Sequence, residues 1–131
     1  MLLSARFTAQ RLASTGVRCL SAGEIPVNTV CRVVSMNVGD EATALKMDEI
    51  VNTYKTEVLS TVPGFTGLER KVCKSEWDYS TTMHFENIDS LVAYLEDETL
   101  QAKANEVMAQ GAEILGGADK IHRQNFVVDD M

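Results

Sequence analysis

From Asn28 to Asn37 the chain reads NTVCRVVSMN, a run rich in β-branched residues that predicts a strand, broken by Gly39-Asp40. Met47, Val51, Tyr54 and Val58 then recur at helical spacing, and Leu45, Ile50 and Leu59 widen the same face. A helix capped by Asp40 or Thr43 is therefore expected to run to about Ser60, where Pro63-Gly64 ends the segment. From Thr66 to Lys74 the pattern switches to alternation, with Leu68, Arg70 and Val72 on one side and Glu69, Lys71 and Cys73 on the other. Tyr79 to Phe85 alternates too, with Tyr79, Thr81, Met83 and Phe85 on one side. The short loop Ser75-Glu76-Trp77-Asp78 makes these two strands an antiparallel hairpin. Asn87 or Asp89 can cap the next helix, whose stripe is Ile88, Leu91, Val92 and Leu95. Glu96-Asp97-Glu98 reads as a solvated bend before a longer segment, Thr99 to Leu115, that stops at Gly116-Gly117. His122 to Val128 gives the last strand, followed by an acidic tail.

The order is βαββαβ, the ferredoxin-like split βαβ arrangement, an α+β fold. Two helices are expected on one face of a four-stranded antiparallel sheet, with the first strand between the third and fourth. The other face needs a cover, because strand residues such as Val33, Val72 and Phe126 would otherwise be exposed. Two such sheets packed face to face make a dimeric α/β barrel, so a homodimer is expected. The domain spans residues 27–128 and the tail 129–131.

Residues 1–22 have a different composition. They hold Arg6, Arg11 and Arg18, several Ser and Thr, and no acidic residue; the first acid is Glu24. Arg interrupts every apolar run, which argues against a secretory signal. An Arg- and Ser-rich, acid-free segment reads instead as a cleavable mitochondrial targeting peptide, with a plastid address as the alternative. Arg18-Cys19-Leu20-Ser21 resembles the matrix cleavage pattern, which puts the mature start near Ser21 or Ala22. The chain carries 12 basic and 19 acidic residues, and without the three arginines the domain has nine basic residues and a net charge of −10. Such a domain is a poor partner for nucleic acid, whose recognition needs a basic patch. No stretch approaches the roughly 20 apolar residues of a membrane span. Cys31 and Cys73 remain, in no CxxC or Cys/His cluster, so a zinc site is unsupported. The expected strand order keeps them too far apart to bridge.

Val62-Pro63-Gly64-Phe65-Thr66-Gly67-Leu68-Glu69 resembles the antibiotic biosynthesis monooxygenase (ABM) family of dimeric α/β barrels, which has a Pro-Gly-Phe turn between its first helix and second strand. Asp78-Tyr79, Phe85-Glu86-Asn87 and Ser90-Leu91-Val92-Ala93-Tyr94-Leu95 follow in the family's order, so the resemblance covers roughly Val30 to Val128. The family includes cofactor-free oxygenases of aromatic polyketides, quinol oxygenases and haem-degrading enzymes. The haem-degrading branch uses an Asn ending the first strand, a Trp on the second helix and an axial His. By position Asn37 fits the Asn, Tyr94 stands for the Trp and Ala104 for the His, so the axial ligand is missing.

The resemblance thus implies cofactor-free chemistry: no metal, no haem, and a pocket between helices and sheet that binds an aromatic or quinol-like molecule and stabilises an oxyanion. Asn37 as hydrogen-bond donor, Tyr94 as stacking group or donor and His84 as base are the candidate catalytic residues. Each has a plainer reading: Asn37 ends a strand, Tyr94 fills the core, and His84, out of phase with Met83 and Phe85, faces the dimer side. There is no Ser/His/Asp triad and no phosphate-cradling glycine loop. Two functions are therefore carried forward: a small cofactor-independent monooxygenase, and a non-catalytic barrel that binds a ligand or serves a stress response.

Overall fold

A computed structural model describes residues 23–131; the targeting expectation for residues 1–22 lies outside them. Among the described residues the elements are β1 (Thr29–Asn37), α1 (Glu41–Glu57), β2 (Phe65–Val72), β3 (Asp78–Phe85), α2 (Ile88–Glu96), α3 (Glu98–Leu115) and β4 (His122–Val128). The fold is α+β and ferredoxin-like, with an antiparallel sheet in the order β2-β3-β1-β4. The first strand does sit between the third and fourth.

The caps explain where the helices begin. Asp40 accepts from the Thr43 amide at 2.8 Å, and Asn87 from the Ser90 amide at 2.9 Å. The segment expected as a bend is a helix junction. Asp97 takes extended backbone angles and accepts from the Leu100 amide at 2.9 Å, so α2 ends and α3 starts on one residue. The second crossover is therefore two helices, which makes three on the sheet.

The Pro-Gly-Phe turn has a steric cause. Gly64 has φ +81°, and a Cβ there would lie 2.0 Å from Ser90 Oγ and 2.4 Å from Ser90 Cβ. The turn packs directly on the first turn of α2, and the Gly64 carbonyl accepts from the Glu86 amide at 2.8 Å. Only glycine fits both demands.

Strand alternation divides the sheet. Val30, Arg32, Val34 and Met36 point to the helices with Tyr79, Thr81, Met83 and Phe85; Leu91, Tyr94 and Leu95 of α2 and Met47 and Tyr54 of α1 complete the core. One expected assignment reverses. Val72 pairs with Tyr79 and packs against the core, so it belongs to the covered face; Val33 and Phe126 belong to the open one. On the open face Phe126 is 41% exposed and Val128 42%. Cys31 pairs with His84 on β3 while Cys73 follows β2, and both thiols are free.

Candidate functional site

A cavity of about 60 Å³ lies between the covered face of the sheet and the helices. Its walls are mostly apolar and include Met36, Met47, Met83 and Met108. The volume is narrow against the roughly 300 Å³ or more of a pocket holding a drug-sized ligand. Methionine side chains are unbranched and adaptable, so these walls are less rigid than a lining of branched residues.

The polar side chains that reach this space come from six elements: Arg32 from β1, Tyr54 from α1, Thr81 from β3, Tyr94 from α2, Gln101 from α3 and Arg123 from β4. The Tyr54 and Tyr94 hydroxyls lie 2.5 Å apart and form one hydrogen bond. Burial pushes the Tyr54 phenol well above its ordinary range, and the Tyr94 hydroxyl beside it adds to the shift. Burial raises Tyr94 too, partly offset by the Tyr54 hydrogen bond and the Arg32 charge. Both are neutral phenols near pH 7. Gln101 Nε2 donates to the Tyr94 carbonyl at 2.9 Å and fastens α3 to the end of α2.

Arg32 is the unusual member. It is only 8% exposed, and burial lowers its pKa from the ordinary arginine value. Its Nη1 donates to Asn125 Oδ1 at 2.9 Å, a neutral acceptor, and the Asn125 Nδ2 is then left buried without a partner. Among the described residues neither Arg32 nor Arg123 has a carboxylate partner. The cavity wall carries no His, Cys, Asp or Glu. A buried cation without a counterion costs on the order of several kcal/mol, a cost that an anion in the cavity would offset.

The sequence-based candidates divide. Tyr94 is in the cavity and 2% exposed. Asn37 and His84 are not in it, which corrects their expected place. Asn37 shares its parity with Cys31, Val33 and Ser35, and so faces away from the helices. Its Nδ2 donates to the Glu76 carbonyl at 2.7 Å and to Asp78 Oδ1 at 3.0 Å, fixing the end of β1 to the hairpin turn in which Trp77 takes φ +64°. His84 also points to the open face and contacts Glu69 Oε1 through Nε2 at 2.9 Å. That face carries a broad hollow of about 980 Å³, open to solvent, with Asn37 and His122 on its rim. Ala104, in the position of the axial His of the haem-degrading branch, lines the cavity with a methyl group. Among the described residues no cluster of three His, Cys, Asp or Glu could hold a metal ion.

Arg32, Tyr54, Gln101, Arg123 and Asn125 were missed. Alternation within β1 was the available signal: an Arg on the same side as Val30, Val34 and Met36 must sit in the core.

No protein-family model and no curated protein matches the chain. Solved structures match its fold. One is a monooxygenase from the gene ActVA-Orf6 of Streptomyces coelicolor in complex with nanaomycin D, with TM-score 0.62, 16% identity, and coverage of 79% of this chain and 89% of that one. A protein of Caulobacter crescentus assigned to the antibiotic biosynthesis monooxygenases matches with TM-score 0.52, 14% identity, and coverage of 79% and 92%. A dimeric ferredoxin-like protein of unknown function from Jannaschia sp. matches with TM-score 0.51, 17% identity, and coverage of 76% and 99%. The chain has the fold shared by ABM-type monooxygenases and related dimeric ferredoxin-like proteins.

Proposed function

We propose that this protein is a cofactor-independent monooxygenase of ABM type, acting on an aromatic phenol or quinol. The observation that carries the reading is the buried, carboxylate-free Arg32 facing the Tyr54–Tyr94 pair in an apolar cavity. A phenol bound there ionises against the Arg32 charge, and the Tyr94 hydroxyl donates to the resulting oxyanion. The electron-rich ring then reduces O₂. A carbon–oxygen bond forms at a hydrogen-bearing ring carbon ortho or para to the oxyanion and the oxygen–oxygen bond breaks. One oxygen stays as a carbonyl, and the other leaves as water with the phenolic and ring hydrogens. Phenol and O₂ give quinone and water; the substrate supplies all four electrons.

The working unit is a homodimer closed over the open face, supported by exposed Phe126 and Val128 and by the dimeric structural neighbour. Its location is the mitochondrial matrix, a reading that rests on the composition of residues 1–22.

A second reading, a non-catalytic ligand-binding or stress-response barrel, is favoured by one feature: the cavity wall offers no imidazole or carboxylate as base. Turnover of simple phenols and quinols under isotopically labelled O₂ separates the two. One labelled oxygen in the quinone product supports the oxygenase; tight binding with no label incorporated supports the binding protein.

A further inference from the structure

The cavity holds one cation more than a single oxyanion needs, and the second stands at a different depth. Arg32 is buried, whereas Arg123 is exposed and borders two spaces at once. Arg123, Met108 and Ile121 line the interior cavity and also a surface groove between α3 and β4. These three side chains therefore form the wall between the cavity and solvent. The approach on that side is free of acids, since the rest of the groove is Asn105 and alanines. This is notable in a chain with 19 acidic residues. The groove between α1 and α3, by contrast, presents Glu49, Glu57 and Glu106 against Lys103. An anion is repelled there and attracted at the α3–β4 mouth.

The register sets the spacing of the two arginines. Asn125 lies opposite Arg32, and Arg123 opposite Val34, so the arginines are diagonal neighbours on the covered face. Such neighbours are about 7–8 Å apart at their backbones, and both side chains line the same cavity. Gly111, in the cavity wall, lets Ile121 pack close against α3: a Cβ there would lie 3.3 Å from Ile121 Cδ1.

We propose that the ligand is an aromatic hydroxy acid, with its hydroxyl at Arg32 and Tyr94 and its carboxylate at Arg123 in the mouth between α3 and β4. Only the placement of the hydroxyl rests on the oxygenase reading. The carboxylate is charged before binding, so Arg123 draws the ligand in through a groove whose lining carries no acid and orients the ring with its hydroxyl inward.

Para-hydroxybenzoate and para-hydroxybenzamide test this, since they differ only in the group meant for Arg123. Calorimetric titration without oxygen is expected to show the acid binding the intact protein about tenfold or more tighter than the amide, a preference that weakens with salt. Arg123→Gln, at an exposed position, should bring the two within about twofold of each other by weakening the acid alone, and Arg123→Lys should restore part of the preference. Equal binding of the two probes, binding of neither, a preference that survives Arg123→Gln, or parallel loss of both probes in that variant would each overturn the assignment. Because oxygen is left out, failure of the oxygenase reading leaves this result standing. Oxygenation of a neutral phenol without any acid preference would overturn this assignment alone.

Discussion

Across the β1–β4 pairing, Arg32 donates through Nη1 to Asn125 Oδ1 at 2.9 Å, so the most buried cation of the cavity is held by a neutral amide. A carboxylate in that place would cancel the charge. The amide fixes the guanidinium and leaves its charge to act on whatever enters, at the cost of a buried Asn125 Nδ2 with no partner. An unsatisfied buried donor costs about 1–3 kcal/mol.

Asn125→Asp is therefore expected to separate stability from function. The new carboxylate pairs with Arg32, and the thermal midpoint holds or rises. Affinity for an anionic phenol falls about tenfold or more, because the cavity is neutralised. Calorimetric unfolding and ligand titration of the same sample check both halves. Unchanged affinity would show that the Arg32 charge does not bind the ligand.

The Tyr54–Tyr94 pair should behave as one unit. Either Tyr→Phe substitution leaves a buried hydroxyl without its partner and costs about 1–3 kcal/mol. The double variant should cost less than the two singles together, by roughly 0.5–3 kcal/mol of coupling. Denaturant unfolding of the four proteins gives the cycle; strict additivity would mean that the 2.5 Å contact is energetically silent.

Alkaline pH should unfold the protein through its tyrosines. The chain has three, and Tyr54, Tyr79 and Tyr94 all have raised pKa values, burial being the first cause in each. In the unfolded chain their protons leave near pH 10, while the folded protein keeps them. The stabilisation is thus fully present below about pH 10 and is lost as pH rises from there toward the folded values, by up to about 1.4 kcal/mol per unit for each group. Phenolate absorbance followed alongside circular dichroism should rise together with unfolding. Phenolate appearing in a folded protein would contradict the burial argument.

Gly64→Ala should destabilise by at least about 2 kcal/mol, since it combines a left-handed backbone with a clash against Ser90. Urea unfolding measures it. The dimer has its own check: Phe126→Asp places a charge in the proposed interface and should halve the mass seen by light scattering. A native mass of a single chain would remove the dimer from the account.

The fold was legible because its signals are local. A β-branched run marked β1, alternation marked β2 and β3, capping residues marked the helix starts, and the short hairpin fixed the first pairing. The site was less legible because it is assembled from register. Arg32 and Asn125 are 93 positions apart, and nothing near either residue announces the other. Tyr54 looked like one more apolar position in the stripe of α1, and only its contact with Tyr94 gives its hydroxyl a role. Asn37 and His84 drew attention as residue types, while strand parity turns both toward the open face. Val72 went the opposite way, its pairing with Tyr79 placing it on the covered face against the core.

The central claim is that a buried, unpaired Arg32 drives oxygenation without a cofactor. Oxygen uptake by the chelator-treated protein on electron-rich phenols and quinols, native against Arg32→Gln, tests it most directly. Native protein should consume one O₂ per substrate and release no peroxide, and Arg32→Gln should lower kcat by about 10²–10³ while remaining folded. Uptake that is equal in the two proteins, or absent from the native one, would contradict it.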